Sequence, residues 1–571
     1  MAIIPFGPFQ PDLTDLATNV TATILNAVPR ADGYGPHPSP EEWTTALPAA
    51  CRGYFYARNA DASVTVFAGT ATKLYRLNNT TFAWVDVSAG GGSYSTLPAG
   101  DMWRFVQFND VVLAAMINAA PQSYNLTSST EFAALAGSPP QARHISIVNR
   151  FVVLSGISGF PYRVQWSGLN SITTWDNVTL QSNFQDLADG GLAHEVAGGE
   201  FGYIFQDASI RRMTFAPGSP YTFQIDRVAE DDGLFGQYAV VRAGDEIHFV
   251  SPQGFKKIAP GGYPVPIGKE RVDATFSADV DVGNLQLLMG AADPTNTRVY
   301  WAYKSLAGDT GLFDTVLVYD RALDRWAKLE ASGEYLATMS RPGLTLEALD
   351  AIATGIITIS SATGTVGQPI RLTISSLTAG TGLGQTNLNS ANHVVVYGVN
   401  GTTEANATWA FSIVDGTHID LTSSVFTNAY TSGGQIGGSI DLMTISFDSI
   451  SNAALSKLSM VNSSHIMAFF SGSNLEAIVE TPEQDGGGVH IFVTGFRVMT
   501  DAPTVYGSLF SRNKANTTTL VQTTETLIND QGICPQRLEA RYIRARSRVV
   551  SAQAWTYIMG VEPQFVPAGE R

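Results

Sequence analysis

Carboxylates and arginines are the residues of this sequence whose spacing could do chemistry. Glu230, Asp231 and Asp232 run together ahead of a glycine, and Asp279 and Asp281 stand two apart, on one face of a short strand or turn. Acids paired across a cleft hydrolyse glycosides, and the D-x-D-x-G stretch from Asp279 to Gly283 begins like a calcium loop. It lacks the later oxygen ligands and the closing glutamate, so these acids read as solvated turns or intersubunit salt bridges.

Arg537, Arg541, Arg544, Arg546 and Arg548 form one basic cluster. In a strand, Arg544, Arg546 and Arg548 project to the same side, and such a row can grip phosphates or the carboxylates of a neighbouring subunit. The whole chain carries 50 acidic against 34 basic residues, a net charge of −16, and should repel a phosphate backbone. Protein contact is therefore the expected role of the row.

The catalytic inventory is otherwise negative. Eight histidines are scattered singly, and His194 and His248 lie in strand-like sequence without a nucleophile beside them. There is no P-loop, HExxH, G-x-S-x-G elbow or dinucleotide fingerprint, and the S-x-D-x-G-x-x-W box of sialidase-type propellers is missing. No enzyme, cofactor or metal site is expected. Cys51 and Cys534 have no CxxC partner and read as buried thiols of a reducing compartment. The Asn-x-Ser/Thr sequons read as turn asparagines. No apolar run long enough to span a membrane appears, and the first residues, MAIIPFGPFQPDLTD, lack the basic region of a secretory signal.

The elements that must position these residues are strands. The chain has 571 residues, 44% hydrophobic and only 15% charged, with 54 glycines and almost no helical periodicity. A unit of two apolar strands ending in paired aromatics recurs, with Tyr75 and Trp84, Tyr124 and Phe132, Trp166 and Trp175, and Tyr319 and Trp326 as the pairs. Strand centres at Val66, Leu113, Val153, Ile204, His248 and Tyr300 are 47, 40, 51, 44 and 52 residues apart, the period of a four-stranded propeller blade. The expected fold is all-β: a β-propeller of about seven blades, six to eight allowed, with an irregular sandwich as the alternative. Expected divisions are an N-terminal arm and ring-closing strand (1–50), blades (51–341), an inserted Gly/Ser/Thr-rich β module (342–458), the last blade (459–481) and a C-terminal β-sheet unit (482–571). Removing the insert restores the period, with Glu334–Ser340 as the displaced first strand of the last blade.

The runs LPAACRGYFYAR, SPPQARHISIVNRFVVL, RVQWSGLNSITTW, PIGKERVDATFSADVD, FFSGSNLEAIVETPEQ and ARYIRARSRVVSAQAWTYIMGVEPQF, in this order, resemble tail nozzle (tail tubular, hub-type) proteins of short-tailed bacteriophages over roughly residues 1–340 and 460–571. The insert resembles small β modules of phage tail proteins. The resemblance implies a structural virion protein in the tail, made in the host cytoplasm. It would be a homohexameric ring below an adaptor or tail-tube ring, with tail fibres as a further implied partner, through which double-stranded DNA passes without sequence-specific binding. Six copies at −16 each would carry −96, and an acidic wall favours sliding over sticking. Asp231, Asp232, Asp279 and Asp281 are then lumen-facing candidates, and Arg544, Arg546 and Arg548 intersubunit or partner contacts. Gating would fall to loops such as Gly90–Gly92 and Asp485–Gly488. Alternatives are a receptor- or carbohydrate-binding propeller of a tail fibre, and a propeller glycosidase.

Overall fold

Short apolar runs separated by tight turns zip into hairpins before anything else, and in this chain the hairpins pair off in fours. The computed structural model describes residues 3–14, 16, 19–341, 355–380, 385–389, 391, 393–437, 456–486 and 489–567. Among them are seven four-stranded antiparallel sheets, the blades of a β-propeller. Their innermost strands are Tyr54–Arg58, Arg104–Phe108, Ala142–Val148, Ala193–Ala197, Val241–Ala243, Met289–Asp293 and Tyr335–Ser340, for blades 1 to 7 in turn. Each inner strand packs beside the next, except that blades 4 and 5 meet through Phe205, Ile247 and Phe249, and blade 7 closes on blade 1.

The second strand of each blade is covered on both faces, and its sequence is correspondingly a near-continuous apolar run, as in Val111–Met116 and Phe151–Ile157. Outer strands such as Asn183–Asp186 meet solvent and are polar. Aromatic rings fill the wedge between neighbouring blades. Phe67 of blade 1 sits 5.0 Å from Tyr124 of blade 2, Phe205 of blade 4 5.0 Å from Phe249 of blade 5, and Phe255 of blade 5 4.9 Å from Trp301 of blade 6. Each such pair contributes about 0.5–1.5 kcal/mol beyond its buried area.

Blade 7 is assembled from three distant segments. Tyr335–Ser340 pairs with Ser456–Val461, that strand with Met467–Asn474, and the outer place is taken by Pro38–Glu42 from the N-terminal region. The final blade therefore differs from the expected 459–481. Ala477–Glu480 leaves the propeller and pairs with Tyr542–Val549. Apolar alternation is the same in a blade strand and a sandwich strand, so the pattern alone does not choose between them.

Two larger sheets make a sandwich from both ends of the chain. One runs Ala27–Arg30, Gly33–Pro36, Ile558–Pro567, Ile491–Thr500, Ile533–Ala540, with Ile4–Pro5 added on Ile558–Pro567. The other is centred on Tyr542–Val549 and Val505–Arg512 and includes Ile24–Leu25 and Ala477–Glu480. Phe496, Leu509, Cys534 and Ile543 belong to the shared core. Gly507 is required there, since a Cβ would lie 2.7 Å from Cys534 Sγ. The sandwich leans on blade 6, where Asn26 donates its N–H to Lys328 O at 2.9 Å and accepts the Glu330 N–H at 2.8 Å. The N-terminal residues thus serve the sandwich as well as ring closure.

The insert contains a closed six-stranded barrel in the order Ile357–Thr363, Ile370–Ile374, His418–Leu421, Thr408–Asp415, His393–Asn400, Ser432–Ile436. It has its own core around Ile357, Leu372 and Ile419. Residues 342–354 and 438–455 of the expected module lie outside the described residues.

Candidate functional site

In a four-stranded blade, the turns joining second to third strands and the connections to the next blade leave one face of the disc. Asp231 and Asp232 follow the outer strand Phe223–Glu230 of blade 4, and Asp279 and Asp281 lie between blades 5 and 6, so all four share that face. They are not alike. Asp231 is exposed, with a φ of 56°. Asp232 is buried against Lys256 at 2.7 Å. Asp279 accepts the Tyr303 hydroxyl at 3.0 Å. Asp281 accepts the Gly283 N–H at 2.9 Å and Lys304 Nζ at 3.0 Å, and this ammonium holds its carboxyl below the usual range. Asp232 and Asp281 are therefore structural ion pairs rather than free wall charges: each balances a lysine its own loop has buried.

The arginine row is likewise spoken for. Tyr542–Val549 sets Arg544, Arg546 and Arg548 on one side, as alternation requires, but Glu480 from the next strand lies under two of them. Arg546 Nε donates to Glu480 Oε1 at 2.6 Å, and Arg544 Nε is 3.4 Å from Oε2. Arg548 binds Glu525 at 2.7 Å and Glu476 at 2.9 Å, which raises its pKa. Arg512 on the adjacent strand pairs with buried Glu483 at 2.5 Å. Phe510 and Tyr506 lie beneath the guanidiniums, 4.4 Å from Arg546 and 4.5 Å from Arg548. The acids that neutralise the row, Glu476, Glu480, Glu483 and Glu525, are far away in sequence or on other strands. Only the sheet register brings them together.

The propeller axis holds a cluster that sequence patterns do not mark. Arg104 at the start of blade 2 pairs with Glu195 of blade 4 and lies 5.6 Å from the Tyr238 ring centre. Burial pushes the Glu195 carboxyl up while Arg104 pulls it down. A cavity of about 280 Å³ beside it is lined by Tyr54, Arg104, Tyr238 and Tyr335 among others. The axis is thus closed to anything the width of a duplex. His144 and His248 are buried and held neutral, His248 at about 4, both chiefly through burial. His194 meets Asp207 at 2.6 Å. None of them faces a serine, threonine or cysteine as a base, and both thiols are buried, their pKa pushed up to about 12 by burial. Among the described residues no three His, Cys, Asp or Glu side chains converge to hold a metal ion. Among the described residues no helix is long and apolar enough to cross a membrane. Gly90 and Gly91 take left-handed backbone with no atom near a Cβ position, an open surface turn, while Gly487 and Gly488 lie outside the described residues.

No family model and no curated protein matches the chain. Among solved structures it is similar to BamB from Moraxella catarrhalis, with 12% identity, 64% of this chain and 95% of that one covered and a TM-score of 0.25. It is also similar to a quinonprotein alcohol dehydrogenase-like protein from Bacteroides thetaiotaomicron, at 11%, 49%, 67% and 0.30. A protein of unknown function from Desulfotomaculum acetoxidans gives 11%, 48%, 84% and 0.30. At such scores the propeller rests on the chain's own sheet order.

Proposed function

We propose that the protein is a structural virion component, the tail nozzle of a short-tailed bacteriophage. In this reading six copies close a ring beneath an adaptor or tail-tube ring, and the genome leaves through the lumen between them. The observation that carries the reading beyond the sequence resemblance is the internal neutralisation of the basic row. With Arg512, Arg544, Arg546 and Arg548 held by carboxylates of their own chain, no basic stripe is left there to grip phosphates, and the net charge of −16 dominates the long-range field. Screening over about 8 Å confines the repulsion to the wall, which centres a passing duplex and lets it slide. A rigid disc of blades with loops on two faces suits a ring subunit that contacts neighbours beside and above. The protein acts on no bond; it shapes and lines a passage.

The test is imaging of the virus particle that carries this chain. The expected result is six copies at the distal end of the tail around an open or gated bore. Location in a fibre tip, or a bore lined by arginine and lysine, overturns the reading.

A further inference from the structure

In an acidic chain, the axial chamber beside Arg104 is basic. Its walls come from the inner strands of blades 1, 2, 5, 6 and 7 and the residues leading into them, and the charged side chains in those walls are Arg104 and Arg242, with no carboxylate. Arg104 spends Nη2 on Glu195, which lies outside the chamber wall, and its side chain stays 24% exposed. Arg242 is held by neutral groups alone. It donates through Nη1 to Gly198 O and through Nε to Gly244 O at 3.3 Å, and among the described residues no carboxylate pairs with it. Those two bonds leave three of the five guanidinium N–H donors. Arg242 is also exposed, so a dissolved molecule can reach it. Two guanidiniums against the one carboxylate of Glu195 leave a single positive charge, which a monoanion balances.

The remaining wall is mostly apolar. Phe55 and Phe105 present parallel rings, their centres 6.0 Å apart and their planes at 10°, and Val241, Met289 and Leu336 extend the surface. A volume of about 280 Å³ holds roughly ten non-hydrogen atoms at about 30 Å³ each. Apolar walls with a few fixed polar groups are the make-up of a small-molecule site. An inorganic anion would leave the apolar wall in contact with water, and a neutral molecule would leave the charge of Arg242 unmatched. A ligand that uses both has an anionic end and an apolar body.

We propose that the axial chamber binds a small organic monocarboxylate, its carboxylate on the guanidinium of Arg242 and its apolar body against the aromatic and aliphatic wall. Arg104 adds to the attraction from its own side of the chamber. The site is one of binding, without chemistry on the ligand, and it holds whichever assembly the chain joins.

Equilibrium dialysis of the full chain against benzoate tests this. Benzoate should saturate at one molecule per chain, at about millimolar concentration or below. Benzyl alcohol, the same ring without the charge, should bind about tenfold more weakly, the scale of a lost charge-assisted hydrogen bond. Inorganic phosphate at equal concentration should not displace benzoate. Arg242→Gln should lower benzoate affinity about tenfold and Arg242→Lys should retain most of it, both with the melting temperature of the parent because Arg242 is exposed. Absence of saturable benzoate binding, equal binding of benzyl alcohol, displacement by phosphate, or an affinity unchanged in Arg242→Gln overturns the site. Should either variant fail to fold, the comparison of the three probes on the parent chain decides by itself.

Discussion

The carboxylate of Glu334 accepts the backbone N–H of Cys51 at 2.8 Å across 283 residues of chain, joining the entry of blade 7 to the entry of blade 1. Its other oxygen takes His465 Nδ1 at 2.7 Å, from the turn between the second and third strands of blade 7. The ring is thus fastened at two levels, by this buried carboxylate and by Pro38–Glu42 in the outer place of blade 7.

Replacing Glu334 with alanine leaves the Cys51 N–H buried without an acceptor. The expected cost is about 2 kcal/mol, with Glu334→Gln losing less because its amide oxygen still accepts. Chemical denaturation measures it, and hydrogen exchange at Cys51 should rise before global unfolding does. Protection unchanged in the alanine variant would show that the joint is held elsewhere.

The barrel interrupts the first hairpin of blade 7, where Ser340 and Ser456 are paired opposite each other. Residues that face each other across a ladder need only a short turn to connect them. Exchanging residues 342–455 for a glycine-containing turn should therefore leave the propeller folded, its melting temperature shifted by only a few degrees. An unfolded or aggregated product would mean that the barrel supports the ring.

Arg548 lies on Tyr506 and binds Glu525 and Glu476, so its work is internal. Arg548→Ala should lower stability by about 1–2 kcal/mol, the scale for a partly exposed network residue. Retention of duplex DNA in a gel-shift series should stay as low as for the parent chain. Measurable DNA affinity in the parent that disappears in the variant would restore the row as a phosphate grip.

Asp273 begins the helix Asp273–Asp279 beneath blade 5, and burial pushes its carboxyl to about 6, with Asp12 adding to the rise and the Phe255 N–H opposing it. A carboxyl whose pKa is higher folded than unfolded binds more protons in the native state between about 4 and 6. Its contribution to stability is therefore fully present below that window and is lost as the pH rises through 6. Asp273→Asn should raise stability at pH 7 by about 1 kcal/mol, after allowance for solvent screening of a partly exposed group, and the gain should vanish by pH 4. A gain that is the same at both pH values would assign the effect to packing.

Much of the propeller can be read from the chain itself, because blade pattern is local. Paired strands lie within about fifty residues of each other, and the aromatics that fill the wedges recur with that period: Tyr124 and Phe132, expected as a pair, stand 5.2 Å apart, and Tyr319 and Trp326 5.0 Å. The arginine row is equally visible in the alternation of Arg544, Arg546 and Arg548. Its neutralisation is not, because Glu480 arrives on a strand, and Glu525 on a connecting segment, whose neighbours no local pattern specifies.

What the amino-acid order determined by itself is the set of elements: apolar runs, turn residues and spacing make hairpins of fixed size, and a hairpin with two apolar faces must stack. What the tertiary structure decided is everything that depends on pairing at long range. Pro38–Glu42 became the outer strand of blade 7, Ala477–Glu480 went to the sandwich, and Asp232 and Asp281 became lysine partners instead of free charges. The physical reason is that hydrogen-bonding edges and buried charges have no sequence-specific address. Each is satisfied by whichever partner the closed ring brings within reach.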